Sequence, residues 1–284
     1  MKTSDKIARW AQKLGSSLKS MVKIAVQTRT CTVTRDATAD EPLIIMGNGP
    51  SLNDTIRDHA DSLAAHRLMA VNYAARAQQF YDLRPEYYVM IDPIFFTHLD
   101  HENVQELWHN LSTRVDWPMT IFLPARAKVP VDFSSHNNIR IRRINPVGVE
   151  GFDWVENAAF TAGRGMPRPR NVLIASLMVA LKLGFRKIYI VGADHTWSKT
   201  LEVNEQNEVI SIQPHFYKDN EAEHRHTASV YRGVHLHDIM MSFHVAFRSY
   251  FTIERYARHI GTDIYNATPG SFIDAFRRKP LPRP

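Results

Sequence analysis

The chain has almost no cysteine: Cys31 stands alone among 284 residues. Neither an internal disulfide nor a cysteine-built zinc site can form from it, and a reducing compartment is its natural setting. Long apolar runs are missing as well. The longest, residues 172–181, falls well short of the roughly 20 residues a helix needs to cross a bilayer. Glycine and proline, 12 and 15 in number, are too few for a collagenous or low-complexity chain. Acidic residues are scarce at both ends. Residues 1–35 hold eight Lys/Arg against Asp5 alone and residues 274–284 hold four against Asp274, so a net charge of +6 leaves the middle at −4. The basic balance therefore belongs to the ends, and a nucleic-acid partner is not expected.

What is present suits one large globular domain: 44% of the residues are hydrophobic and no internal repeat interrupts them. Near the start, Ile7, Trp10, Ala11, Leu14, Leu18, Met21, Val22 and Ala25 recur at helical spacing, with Lys6, Arg9, Lys13, Lys19 and Lys23 at other positions. The spacing predicts a basic amphipathic helix, and its lack of a continuous apolar centre with a small-residue cleavage site argues against a secretory signal. Residues 6–25 are expected to lie on an anionic membrane surface; packing on the chain's own domain, or on a sister subunit in a homo-oligomer, is the alternative. Residues 28–40 read as a linker, which divides the chain into 1–40 and a domain over 41–284.

Within that domain, apolar runs predict strands at 42–46, 68–71, 87–91, 119–123, 139–144, 187–191 and 263–265, with helices at 53–65, 103–112, 171–183 and 240–260. Alternation of this kind predicts an α/β, Rossmann-like fold: a mostly parallel sheet with helices on both faces. Residues 196–238 break the rhythm, being polar and rich in His, Asn and Glu, and read as a small lid insertion or a surface excursion.

Gly47-Asn48-Gly49-Pro50-Ser51 falls where the first strand hands over to its helix, a position that aims backbone N–H groups at an incoming anion. Two glycines permit close approach, Pro50 fixes φ without donating, and Ser51 or Asn53 can cap the helix. A glycine turn there also serves purely steric ends, so both uses stay open. Asn72, Asp92 and the run Gly192-Ala193-Asp194-His195 end three more strands, on the side where ligands of such sheets bind. Asn72 can donate to and accept from a base or ribose; Asp92 and Asp194 suit hydroxyl recognition or loop bracing. Arg164, Arg168 and Arg170 with Asn171 lead into an apolar helix, an anion-binding combination unless the loop is merely solvated.

Histidines crowd residues 215–244: His215, His224, His226, His235, His237 and His244. The pairs 224/226 and 235/237 fit no recognised zinc spacing, so no metal is assigned and one proton-transferring histidine in a polar lid is favoured.

Three segments occur in order: Ile44-Ile45-Met46-Gly47-Asn48-Gly49-Pro50-Ser51-Leu52; residues 171–184 followed by Arg186-Lys187-Ile188-Tyr189-Ile190-Val191-Gly192-Ala193-Asp194; and Tyr265-Asn266-Ala267-Thr268-Pro269-Gly270-Ser271. Together they resemble the bacterial CMP-sialic-acid-dependent sialyltransferases of lipooligosaccharide synthesis, and the related domain of motility accessory factors and of archaeal 6-hydroxymethylpterin diphosphokinase. The resemblance implies a GT-A-variant-like fold in which Asn48, Gly49, Ser51 and Asn72 hold the CMP moiety. Asp92 departs from the family at the next such position. Arg168, Arg170 and Asn171 would contact the donor's charges. Gly47, Pro50, Gly192, Asp194, Asn266 and Thr268 complete the expected nucleotide-binding set. Tyr217 and Tyr231 are the candidates for the lid tyrosines that support the departing phosphate. His244 is the implied catalytic base, with His226 second, although His244 beside Phe243 and Phe247 also fits a partly buried helix position.

The expectation is an inverting, metal-independent glycosyltransferase that needs no cofactor beyond its donor substrate. It would move sialic acid or a related acidic sugar from a CMP-sugar to a cell-surface glycan or glycolipid acceptor, on the inner face of the cytoplasmic membrane. The alternatives are a Mg²⁺-dependent diphosphokinase using Asp92 and Asp194, and a non-catalytic membrane-associated nucleotide-binding protein.

Overall fold

A computed structural model describes residues 3–37, 41–211 and 233–284. The strands are β1 (Pro42–Met46), β2 (Arg67–Val71), β3 (Tyr87–Val89), β4 (Met119–Pro124), β5 (Ile139–Ile144), β6 (Lys187–Val191), β7 (Leu201–Val203), β8 (Val209–Ser211), β9 (Asp263–Asn266) and β10 (Arg277–Arg278). The helices are α1 (Thr3–Gln27), α2 (Ser51–Asp58), α3 (Ala60–Ala64), α4 (Gln78–Leu83), α5 (Ile94–Thr97), α6 (Glu102–Thr113), α7 (Asp153–Thr161), α8 (Val172–Leu183) and α9 (Leu236–His259). Eight strands form one sheet in the order β10-β9-β6-β1-β2-β3-β4-β5, and all seven of its pairings are parallel.

The alternation of side chains along β1 shows why both faces must be covered. Leu43 and Ile45 join Met69, Tyr87 and Phe122 in a cluster with α8 and α9, whereas Ile44 and Met46 join Leu68, Tyr88 and Ile121 in a second cluster with Phe80 and the α6 residues Leu107, Trp108 and Leu111. A strand buried on both sides reads as a continuous apolar run, as Leu43-Ile44-Ile45-Met46 does. Helix α8 lies inside the first cluster. Asn171 caps it by accepting from the Ile174 N–H at 3.2 Å, and Gly184 ends it at φ +97°. The fold class matches the expectation from sequence and each expected strand is present, while the helix expected over 53–65 is broken at His59 into α2 and α3.

The segment after α1, expected to be a linker, lies against the domain. Thr32 N–H donates to Arg143 O at 3.0 Å, while Asp36 and Ala37 N–H both reach Leu183 O, at 2.9 and 3.1 Å. Val33 and Ala37 enter the first cluster, and the Tyr87 hydroxyl donates to Asp36 at 2.6 Å, holding its carboxyl below the usual range. All these partners are distant in sequence, which is why a local reading finds only a polar connection.

Helix α1 spans the predicted residues but docks by an unexpected side. Ser17 and Ser20 are buried: Ser17 Oγ accepts from Phe152 N–H at 2.9 Å, and Ser20 Oγ exchanges bonds with Glu150 O and N at 2.8 and 2.9 Å. Gly151, at φ +146°, makes the approach possible, since a Cβ there would lie 2.1 Å from Ser17 Oγ.

The chain leaves β1 towards β2 on one side, and β6 later pairs with β1 on the other. Strand order therefore reverses about β1, and a crevice opens at the carboxyl ends of β1, β2 and β6. The antiparallel β7–β8 pair follows β6 within the expected lid. His215, Tyr217, His224, His226 and Tyr231 lie outside the described residues.

Candidate functional site

A cleft of about 470 Å³ occupies that crevice. It brings together Gly47, Asn48, Gly49 and Pro50 from the loop after β1, Asn72 after β2, Asp92 after β3, Arg170 and Asn171 at the start of α8, and Gly192 and Asp194 after β6. Tyr73 and Phe95 add apolar wall, so the cleft has flat as well as polar surface for a ligand.

The two loop glycines turn out to join strand ends. Gly47 N–H donates to Val191 O and Gly49 N–H to Gly192 O, both at 2.8 Å. A Cβ on Gly47 would lie 2.4 Å from Gly192 O, and one on Gly49 would lie 2.0 Å from Asp194 Oδ2. Of the two uses open from sequence, close backbone packing is the one these contacts serve, and neither N–H is left for an anion. Ser51 Oγ donates to Asp194 Oδ2 at 2.9 Å, so that pair braces the loop from the side.

Polar capacity instead comes from three asparagines. Asn48 Nδ2 donates to Val71 O at 3.2 Å and leaves Oδ1 unpartnered; Asn72, held at φ +47°, also leaves Oδ1 unpartnered; Asn171 uses Oδ1 in its cap and leaves Nδ2 unpartnered. A buried polar atom without a partner costs about 1–3 kcal/mol, and three around one cleft suit a polar guest. Arg170 is exposed on the cleft rim beside the N-terminus of α8, without an ion pair among the described residues, and both features favour an anion.

His195 completes the site. It takes φ +51°, uncommon for a residue with a Cβ, and its ring lies on Trp197 with centroids 4.1 Å apart. Its Nε2 is 2.6 Å from Tyr250 Oη, and Tyr250 donates to Asn171 Oδ1 at 3.0 Å. The proton positions follow from the cap. Asn171 must present its carbonyl oxygen to Ile174 N–H, so the Tyr250 hydroxyl, kept protonated by burial, donates to that oxygen and accepts from His195 Nε2–H. His195 Nδ1 is left as a lone-pair acceptor in a cleft-lining residue. Desolvation among Trp197, Phe247 and Tyr250 pulls the imidazole pKa down to about 3.

An unfolded imidazole titrates near 6.5, so below that pH the unfolded chain binds a proton that native His195 refuses. Stability from this group is present above about pH 6.5 and is lost as pH falls towards 3. Between pH 7 and pH 4.5 the native protein should lose about 2–3 kcal/mol more in urea unfolding than His195→Gln. Equal losses would contradict the buried neutral imidazole.

The 6-hydroxymethylpterin diphosphokinase MptE-like family profile matches residues 16–200, which include the glycine loop and the β6 end. The chain belongs to this family. No curated protein matches. Among solved structures, the MAf glycosyltransferase from Magnetospirillum magneticum AMB-1 is similar over 94% of this chain and 38% of its own, at 11% identity and a TM-score of 0.51. The likeness establishes a shared fold, and this chain spans well under half the length of that protein.

Several expected site residues of this MptE-like chain fall outside the cleft. Arg168 is turned away to Glu150, with Nε 2.8 Å from Oε2. Asn266 and Thr268 are buried behind the β6 end: Thr268 Oγ1 accepts from Ala193 N–H at 3.2 Å, and Asn266 Nδ2 donates to Ile273 O at 3.0 Å. His244 is exposed. Phe243, Phe247 and Tyr250 recur at i, i+4 and i+7 and form the side of α9 that meets His195 and Trp197, while His244 sits about 100° further round. No group of three or more His, Cys, Asp or Glu placed to hold a metal occurs among the described residues. In the sequence His195 stands out only as the tail of Gly192-Ala193-Asp194. Its one sequence signal was that place at a strand end, because Tyr250 is 55 residues away.

Proposed function

We propose that the cleft binds the nucleotide of a sugar donor and that the chain is an inverting glycosyltransferase acting on a CMP-linked acidic sugar. The observation that carries this reading is the convergence of Asn48, Asn72, Asn171 and Arg170 around His195 at the switch point of the sheet. The shared fold with a protein named as a glycosyltransferase supports it. In the proposed step an acceptor hydroxyl of a glycan or glycolipid attacks the anomeric carbon, and the bond from that carbon to the phosphate oxygen breaks. The hydroxyl proton passes to His195 Nδ1, and the charge left on the nucleotide phosphate is met by Arg170 and the start of α8. His195 replaces His244 in this role because, of the two, His195 lines the cleft.

The family's name favours a second reading, a diphosphokinase, in which Asp92 and Asp194 on the cleft wall would hold Mg²⁺ against transferring phosphates. Calorimetric titration with CMP, CDP, UDP, GDP and ATP, each with and without Mg²⁺, separates the two. Tight CMP binding that ignores Mg²⁺, with weak ATP binding, is the expected result. Preference for ATP with Mg²⁺ would replace the transferase reading by the second, and absence of all binding would overturn both.

A further inference from the structure

The apolar side of α1 is the least expected surface of the molecule. Ile7, Trp10, Leu14, Leu18, Met21 and Val22 are all exposed, from 37% at Leu14 to 64% at Ile7 and Val22. A surface helix of a globular domain ordinarily turns such a stripe inward. Here Ser17, Ser20 and Ile24, spaced i, i+3 and i+7, form the docked side and the stripe lies beside it. The bonds to Glu150 and Phe152 fix the helix about its own axis, so the stripe points outward by construction of the interface.

We infer that this stripe seats the protein on an anionic lipid surface. Charge selects that occupant. Asp5 is the only acid in α1, while Lys6, Arg9 and Lys19 carry no ion pair among the described residues; Lys13 alone is paired, with Asp153 at 3.2 Å. An apolar strip bordered by unpaired cations matches acyl chains bordered by acidic headgroups. A second copy of the same helix would instead bring like charges together. Trp10, whose ring lies 5.9 Å from that of Phe152, supplies an aromatic of the kind enriched at the headgroup level. Among the described residues no helix is long and apolar enough to cross a membrane, so the contact is peripheral.

The test is co-sedimentation of the full chain with phosphatidylcholine vesicles, with and without phosphatidylglycerol, alongside light scattering. The full chain should pellet with the anionic vesicles, less so as salt is raised, and remain in the supernatant with the neutral ones. Leu14→Glu with Leu18→Glu changes two exposed positions and should lower vesicle affinity about tenfold or more without moving the melting temperature. Lys6→Glu with Lys19→Glu should weaken only the anionic arm. The inference is overturned if the full chain stays in the supernatant, if the Leu14/Leu18 variant pellets equally well, or if scattering finds a dimer which that variant splits. None of these readouts depends on nucleotide binding or sugar transfer.

Discussion

His195→Gln is expected to lower the turnover of sugar transfer by about 10²–10⁴-fold while CMP affinity changes by no more than a few-fold. Glutamine can still bond Tyr250 but takes up no proton, so the loss falls on the chemical step. Tyr250→Phe tests the relay behind it. The ring stays, but the hydroxyl joining His195 Nε2 to Asn171 Oδ1 is gone, and the imidazole is free to carry its proton on Nδ1, the atom that should receive one. A smaller fall in kcat, about tenfold, with unchanged KM is expected. The pH profile adds a further readout. In the free protein the imidazole titrates near 3; a bound phosphate nearby favours the cation and should lift the acid limb of kcat above that value, whereas kcat/KM follows the free protein. Unaltered turnover in His195→Gln would remove the proposed base.

Gly47→Ala should be damaging out of proportion to its single added methyl. The added carbon would lie 2.4 Å from Gly192 O, a backbone atom already bonded to Gly49 N–H, so neither side can yield without separating β1 from β6 at the cleft floor. A cost of about 2–4 kcal/mol is expected in urea unfolding, together with loss of nucleotide binding in calorimetry. Gly15→Ala is the counterpart. A Cβ there meets nothing within 4 Å, and the residue is inside α1, so stability should rise by roughly 0.5–1 kcal/mol. Similar behaviour of the two variants would show that the strand-end contact is not what demands glycine at position 47.

How far the sequence leads can be judged residue by residue. Leu43-Ile44-Ile45-Met46 announced a strand buried on both faces because a parallel sheet between helix layers leaves no other pattern. Gly47, Asn72, Asp92 and Asp194 were legible as one rim because strand ends of such a sheet all open on one side. The His195–Tyr250–Asn171 chain was hidden because it joins a strand end, a helix middle and a helix cap over a span of 79 residues. The resemblance marks His244 by its place along the chain, and that place carries no information about which side of α9 a residue faces. Helix α1 was legible as amphipathic, but not its docking, which uses two serines that no hydrophobic pattern marks.

The loop that receives Ser17 and Ser20 has a second neighbour. Glu150 also pairs with Arg248, and Glu156 with Arg255 at 2.6 Å, both on α9 and on either side of Tyr250 in sequence. Ser20 through Glu150, and the Gly151 N–H through Glu156, are therefore joined to the helix that carries Tyr250. The loop beneath α1 and the helix that holds the partner of His195 thus share two glutamates, and each of these neutralises an arginine of α9 while it secures a backbone N–H or serine on the docking side.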